Sequence, residues 1–150
     1  MRILMVAARC YPFMGGIETH IQEVGPRLVA RGHAVDVLTT DPSGDLPAET
    51  EVRGMRVRRV PAWPKNLDLY VAPAVHTAIK RGNWDLIHFQ GYNTFVAPIG
   101  LFAAIERDIP FVLTFHRGRH SSAAAQRHAQ DPARAAAPPG GAGRAVDRRL

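Results

Sequence analysis

The spacing of apolar residues along the chain predicts alternating strands and helices. Residues 2–8 form a short, nearly continuous apolar run, which is typical of a strand covered on both faces. A loop with two adjacent glycines follows, and apolar residues then recur at intervals of four, three and four from 17 to 28, which marks one face of a helix. Gly32 predicts the end of that helix, and residues 34–40 form a second strand. Together these elements make one βαβ unit.

The same alternation continues through residue 115. Further strands are expected at 55–60, 85–89 and 111–115, with helices at 68–81 and 94–107 and a polar loop at 41–53. Five strands with intervening helices predict a Rossmann-like α/β fold, in which a doubly wound parallel sheet carries helices on both faces. Pro26 lies inside the first helix, where we expect it to kink or weaken the helix.

Charge and composition divide the chain near its carboxyl-terminal fifth. Residues 1–116 contain twelve Lys and Arg against eleven Asp and Glu, whereas residues 117–150 contain seven against two. After Ser122 the only large aliphatic residues are Val146 and Leu150, and ten of the last 28 residues are alanine. The net charge of +6 therefore belongs mostly to a tail, which argues against a basic nucleic-acid-binding domain.

Composition also excludes several classes of protein. The single cysteine, Cys10, rules out a disulfide framework and a multi-cysteine zinc site, so a reducing cytoplasm is the expected location. No run approaches the roughly 20 apolar residues that span a bilayer. The apolar N-terminus stops at Arg9 without a small-residue cleavage site, so we interpret it as a buried strand, not a signal peptide. Cys10 itself is expected to pack in the interior, because no base that could activate it is identifiable nearby.

Gly15 and Gly16 stand between the first strand and the first helix. The first N–H groups of a helix lack internal partners and lie at the positive end of the helix dipole. Glycines there let a phosphate approach closely, so one interpretation is a site for an anionic group such as a diphosphate. The other interpretation is a tight turn with close packing of the helix on the strand. Spacing alone leaves both open.

A dinucleotide site is a separate hypothesis. The G-x-G-x-x-G pattern is absent, but Asp41 ends the second strand, where a ribose-binding acid belongs, 25 residues after Gly16. A nicotinamide-dependent oxidoreductase is therefore the second functional hypothesis. A P-loop is excluded, because no Gly-Lys-Ser/Thr follows the glycines.

Polar side chains close two other predicted strands, at the sheet edge where ligands bind in open α/β folds. The polar and glycine positions at these strand ends are His88, Gln90, Gly91, Tyr92, Thr114 and His116. The histidines could donate to a sugar hydroxyl or a phosphate, or could be hydrogen-bonded structural groups. His116 and His120 have the spacing of helical metal ligands, but Arg117 and Arg119 between them disfavour a cation, so no metal is expected.

Three stretches of the sequence carry a family resemblance. They are residues 1–40, with the glycine pair and an R-G-H before the second strand, residues 84–92, W-D-L-I-H-F-Q-G-Y, and residues 109–122, with T-F-H. Together they resemble family 4 glycosyltransferases, which have the GT-B fold. The resemblance covers about residues 1–122 and implies the N-terminal, acceptor-side half of such an enzyme. Family members are retaining enzymes that use no metal, and no cofactor is expected.

The resemblance also implies roles for individual residues. His116 matches the family histidine that contacts the transferred sugar, so it is the expected catalytic residue. The expected donor-phosphate and acceptor-binding residues are Gly15, Gly16, Glu18, His20, Gln90, Tyr92 and Thr114. Two features depart from the family pattern: Arg117 and Arg119 stand where small residues are usual, and Pro26 interrupts a helix that normally lacks proline.

The partners implied by the resemblance are a nucleotide-diphosphate sugar and a sugar, lipid or small-molecule acceptor, with no nucleic acid. Most donor contacts in the family come from a C-terminal domain, which we expect to be missing here. The chain alone would then hold half of an active site and be inactive, because transfer needs both halves to orient the reactants and exclude water. The expected location is the cytoplasm. Peripheral association with the inner face of the cell membrane is the alternative.

Residues 123–150, rich in Ala, Arg, Pro and Gly, are interpreted as a disordered tail. The tail could be a flexible basic arm, a linker or the product of a frameshift near residue 122. Family members usually continue with a helix of the type L-L-R-P-L-V-A-R. GC-rich codons for that string, read from the third nucleotide, encode Ala-Ala-Pro-Pro-Gly-Gly-Ala, the sequence of 136–142. This favours the frameshift hypothesis. A third functional hypothesis is a non-enzymatic module that binds nucleic acid or anionic membrane through the tail.

Overall fold

A computed structural model describes residues 1–65, 70–92 and 94–116 of the chain. The elements are β1 (Arg2–Ala7), α1 (Gly16–Ala30), β2 (Ala34–Asp41), β3 (Glu49–Val52), β4 (Met55–Pro61), α2 (Ala74–Arg81), β5 (Leu86–Gln90), α3 (Val96–Glu106) and β6 (Phe111–Thr114). The tail predicted over 123–150 lies outside the described residues.

The strands form a six-stranded sheet in the order β3-β4-β2-β1-β5-β6. All neighbouring strands are parallel except β3, which pairs antiparallel with β4. Without β3, the five parallel strands have the order of a Rossmann sheet. The strand order, not the strand direction, reverses between β1 and β5. The predicted Rossmann-like α/β fold is therefore confirmed, with one antiparallel edge strand added.

Helices cover both faces of the sheet. Helix α1 packs on one face through Ile21, against an apolar cluster that includes Met5 and Val57. Helices α2 and α3 pack on the other face, where Ile79 and Phe89 are fully buried. The central strand β1 is buried on both faces from Ile3 to Ala7, as its continuous apolar run predicts. Within the described residues, no helix is both long and apolar enough to cross a membrane.

Strand β3 lies in a segment that we predicted to be a loop, so the expectation of five strands was wrong. Its alternate residues are exposed and it carries Glu49 and Glu51, so it lacks the apolar alternation that marks a buried strand. A two-residue turn, Arg53-Gly54, joins it to β4, and both residues have positive φ. Such hairpin turns favour Asn or Gly at the first position, and an arginine there hid the signal. Polar side chains suit an edge strand, where they discourage pairing with another chain.

Helix α2 begins at Ala74, so the predicted helix over 68–81 was too long at its start. Residues 66–69 lie outside the described part, and Val71 pairs instead with Trp63 through two backbone hydrogen bonds of 2.8 and 2.9 Å. Pro73 explains the boundary, because the residue before a proline is disfavoured in helical conformation and proline itself suits a helix start. The predicted end is correct, since Gly82 follows the last helical residue.

Helix α1 is continuous from Gly16 to Ala30 with Pro26 inside it, so the proline does not end the helix. A proline in a helix leaves the carbonyl four residues earlier without its usual donor. Here that carbonyl belongs to Gln22, and the guanidinium of Arg53 donates to it at 2.7 Å. The side chain at the β3–β4 turn therefore replaces the hydrogen bond that the proline removes.

Candidate functional site

The carboxyl ends of β1 and β5 form the centre of the candidate site. In an open α/β sheet, ligands bind where the strand order reverses, and here that point lies between these two strands. Helix α1 begins beside it, with Gly15 as N-cap residue in extended conformation and no side chain capping the helix. The backbone N–H groups of the first turn are therefore left for water or a ligand.

The two glycines at this helix start have different surroundings. A Cβ atom added at Gly15 would lie 2.5 Å from the Glu18 carboxylate, so Gly15 lets that side chain fold over the loop. A Cβ at Gly16 would meet no atom within 4 Å. Gly16 thus faces open space, which leaves room for another molecule to approach the backbone, while Gly15 serves the internal packing of the turn.

Three histidines meet at this edge of the sheet. The ring of His20, on α1, lies edge-on to the ring of His116 at 5.1 Å between centroids and to that of His88 at 6.2 Å. His116 Nε2 lies 2.7 Å from Oε1 of Gln90, and His88 Nε2 lies 2.7 Å from Oγ1 of Thr114. We call His20, His88 and His116 the histidine cluster.

Strand register explains why these side chains meet. Gln90 of β5 pairs with Thr114 of β6, and His88 lies two residues before Gln90 on the same face of the strand. The neighbouring positions on β1 are Met5 and Ala7, on the face that α1 covers. Parallel strands with aligned ends thus carry polar residues to one face, and α1 brings His20 over them.

Two rings of the cluster, those of His88 and His116, favour the neutral form. Burial lowers the pKa of His88, and the nearby rings of His20 and His116 lower it further. Burial and His20 also lower the pKa of His116, against the opposing effect of the Glu18 carboxylate. Among the described residues, no group of three or more His, Cys, Asp or Glu side chains is arranged to hold a metal ion. Neutral rings at His88 and His116 can hydrogen-bond uncharged hydroxyl groups.

These pKa shifts predict a loss of stability in mild acid. Below the ordinary histidine pKa of 6.5 the unfolded chain binds protons that His88 and His116 bind less readily in the folded state. The stabilisation is complete above that pKa and is lost as the pH falls through the lowered pKa values of the folded state. We expect the melting temperature, followed by circular dichroism, to drop between pH 7.5 and 5.5, and to drop less in His88→Gln.

His33→Gln is the matched control for this measurement, because His33 lies just before β2 at the opposite edge of the sheet. It should keep the full dependence on pH. An equal slope for His88→Gln and the unchanged protein would contradict the assignment to the cluster.

Gln90 has a hydrogen-bond donor that no described residue uses. The residue is only 3% exposed, and its Nε2 has no hydrogen-bond partner among the described residues. Gln90 also lines a narrow crevice of about 30 Å³ between β1, β5, α1 and α3, with Ala8, Ile17 and Gly91 on its walls. A crevice of that size holds about one water molecule or a single hydroxyl group. A buried donor without a partner is costly, so this position suits a ligand oxygen.

Tyr92 is the predicted site residue that the structure does not bring into the cluster. It lies on the loop after β5, its side chain is 52% exposed, and no hydrogen bond or ring contact ties it to the other described site residues. Cys10 is buried, and burial raises the pKa of its thiol, as expected for a packing role.

Asp41, the last residue of β2, hydrogen-bonds to the loop that follows it. Burial favours its neutral form, yet the Ser43 hydroxyl and backbone N–H groups, above all that of Leu46, hold the pKa of Asp41 below its ordinary value. Its carboxylate accepts hydrogen bonds from Ser43 Oγ at 2.6 Å and Leu46 N at 2.8 Å. A carboxylate engaged in this way is a structural element of the β2–β3 loop, which leaves the nicotinamide hypothesis without its key residue.

Arg59 was not among the residues predicted for the site. In β4, Met55 and Val57 face the core, and Arg59 occupies the next position on that same face, buried with 8% exposure. An arginine in phase with inward-facing apolar residues is the signal that would have found it. It lies at the same edge of the sheet as the candidate site.

Comparison with known proteins decides the family. The model of Glycosyltransferase Family 4 matches residues 14–146. The chain belongs to glycosyltransferase family 4. The matched range includes both site glycines and His116. It also includes most of 123–150, so the frameshift remains a prediction, which sequencing of the DNA would test.

Curated relatives of this family 4 chain are inositol-related enzymes. It is 31% identical over 122 residues to a phosphatidyl-myo-inositol mannosyltransferase of Mycobacterium leprae, covering 77% of this chain and 32% of the relative. It is 33% identical over 115 residues to a D-inositol 3-phosphate glycosyltransferase of Thermobifida fusca, covering 68% of this chain and 26% of the relative. The chain thus spans between a quarter and a third of the length of these relatives.

A solved structure shares the fold. A sucrose-phosphate synthase from Thermosynechococcus elongatus superposes with a TM-score of 0.60 at 20% identity, covering 83% of this chain and 36% of that one. The match supports the GT-B architecture, of which this chain forms a Rossmann-like part.

Proposed function

We propose that this chain is the acceptor-side N-terminal domain of a retaining family 4 glycosyltransferase that uses a nucleotide-diphosphate sugar. The observation that carries the proposal is the placement of His116, hydrogen-bonded to Gln90 and beside the uncapped start of α1, in a chain that the family model matches. Hydroxyl-binding groups and a backbone anion site then lie at one edge of the sheet, as transfer of a sugar from a diphosphate requires.

His116 is the proposed catalytic residue. With Gln90 Oε1 accepting from its Nε2–H, the neutral ring presents Nδ1 as an acceptor for a hydroxyl of the transferred sugar. The ring thereby fixes the sugar as its anomeric carbon gains positive character. Stabilisation then comes from orientation and fixed dipoles around an oxocarbenium-like state, with no need for a metal. The N–H groups at Gly16 would lie against an anionic group of donor or acceptor.

The proposed acceptor is an inositol that bears a phosphate ester. Support comes from the relatives, since the names of both the mannosyltransferase and the glycosyltransferase specify inositol with a phosphate. A polyol suits the site, because Gln90 Nε2, unpaired among the described residues, and the rings of His88 and His116 offer several hydrogen-bonding groups. If the acceptor is a lipid, the chain would work at the cytoplasmic face of the membrane.

The chain alone is proposed to bind acceptor without transferring sugar, because a donor-binding domain would have to complete the site. The test titrates the chain with inositol 3-phosphate and follows the imidazole signals of His20 and His116 by NMR. Transfer is then assayed with nucleotide sugars, for the chain alone and for the chain joined to the C-terminal part of the Thermobifida fusca relative.

We expect acceptor-induced shifts with the chain alone and transfer only after the join. Transfer by the chain alone would show that the half-site proposal is wrong. Absence of both acceptor shifts and transfer in every joined protein that folds would count against the function itself.

A further inference from the structure

A second pocket lies at the carboxyl ends of β2 and β4, away from the crevice between β1 and β5. Its volume is about 220 Å³, and its walls include Asp41, Gly44, Leu46, Arg59 and Lys65. None of these residues takes part in the histidine cluster. The histidine cluster therefore does not account for this pocket.

Arg59 is the buried charge of this pocket. Its Nη1 donates to the Pro47 carbonyl at 2.9 Å and to Thr50 Oγ1 at 3.0 Å, and its Nη2 donates to the Tyr11 carbonyl at 2.7 Å. All three acceptors are uncharged, and Nε has no partner among the described residues. No described carboxylate lies within 4.0 Å of the guanidinium. A buried charge without a counter-ion is costly, so an anion would stabilise it.

Lys65 adds a second positive charge to the same pocket. A Cβ added at Gly44 would lie 3.1 Å from Lys65 Nζ, so the ammonium group rests over that glycine at the mouth of the pocket. The described residues offer Lys65 no salt bridge. Among the described residues of the pocket wall Asp41 is the one acid, and its carboxylate is bound by Ser43 and Leu46 of the β2–β3 loop. The described wall of the pocket therefore carries a net positive charge.

We propose that this pocket binds a phosphate group, as the free ion or as a phosphate monoester. A guanidinium without a carboxylate partner among the described residues and a neighbouring ammonium group match the charge of a tetrahedral dianion. The Tyr11 carbonyl links the pocket to the β1–α1 loop, which leads to Gly15 and the candidate site. Phosphate binding would thus stabilise that loop from a pocket outside the proposed transfer site.

The test measures binding by the whole chain, without any sugar or assay of transfer, so it is independent of the proposed function. Inorganic phosphate and glycerol phosphate are titrated by calorimetry, with Arg59→Gln and Lys65→Gln as test variants. Arg81→Gln is the matched control, because this exposed arginine ends α2 at the opposite edge of the sheet. Arg59→Gln is expected to weaken binding about tenfold or more and Lys65→Gln about threefold, with no change for Arg81→Gln.

NMR shifts locate the bound ion. Shifts of the Gly44 amide and of amides near Arg59 and Lys65 support the proposal, and tighter binding of one probe identifies the free ion or the monoester as the ligand. Shifts confined to Gly16 and Ile17, or equal affinities in the test variants and the control, overturn it. If Arg59→Gln does not fold, Lys65→Gln decides alone, since an exposed side chain can be replaced without loss of the fold.

Discussion

Replacing His116 with alanine is expected to lower the rate of sugar transfer about 100- to 1,000-fold in the enzyme completed by a donor-binding domain. Loss of one fixed hydrogen-bonding group at a reaction centre has an effect of this size. The imidazole is held by Gln90 and lies in contact with His20, so alanine removes a positioned group and leaves a gap that water can enter. The loss should appear in kcat, because the role proposed for the ring is to hold the transferred sugar as charge develops.

The matched control is His33→Ala, a histidine outside the cluster, which should keep full activity. Acceptor binding by the chain alone separates catalysis from folding. His116→Ala should still bind the acceptor through the remaining polar groups, although more weakly. A normal kcat in a folded His116→Ala protein would remove this residue from the proposed mechanism.

Replacing Phe89 with alanine should destabilise the fold by about 3–5 kcal/mol, the cost of removing a fully buried aromatic ring. Phe89 lies in β5 between His88 and Gln90, and its side chain points to the opposite face of the sheet. A Cβ added at Gly100 of α3 would lie 2.5 Å from the Phe89 ring, so the helix packs directly on it. Urea unfolding measures the change.

Phe102→Ala is the control for this prediction, because Phe102 is part of α3 and lies against His76 of α2 but is 60% exposed. It should change the free energy of unfolding by no more than about 0.5–1 kcal/mol. Adding Gly100→Ala to Phe89→Ala should recover part of the loss, since a methyl group then fills space that the ring vacates. An equal cost for the two phenylalanine variants would show that the packing of α3 on β5 is not as described.

The alternation of strands and helices was predictable where the apolar pattern is regular. Strand β1 is a continuous apolar run, and α1 repeats apolar residues at helical spacing. Strand β3 did not, because an edge strand with one solvated side needs no apolar run, and Arg53 replaces the residues usual in its turn. The start of α2 depended on the local effect of Pro73 and not on the periodicity of the helix.

The position of the candidate site was predictable from the sequence, but the contacts between its side chains were not. Strand ends identify Gln90, Thr114 and His116 as neighbours at one edge, because parallel strands align their carboxyl ends. The contact of His20 with His88 and His116 depends on how α1 crosses the sheet, which the sequence does not specify. Arg59 was missed because a single charge in a strand reads as exposed, whereas its phase with Met55 and Val57 turns it inward.

The contact of the β3–β4 turn with α1 couples two regions in local unfolding. Arg53 hydrogen-bonds the Gln22 carbonyl that Pro26 leaves open, and a Cβ at Gly54 would lie 3.1 Å from Val29 of the same helix. When the edge hairpin opens, the second half of α1 therefore loses both a hydrogen bond and a packing partner. Amides of the hairpin and of this half-helix should exchange with solvent as one cooperative unit, although α1 and the hairpin are separated in the chain by β2.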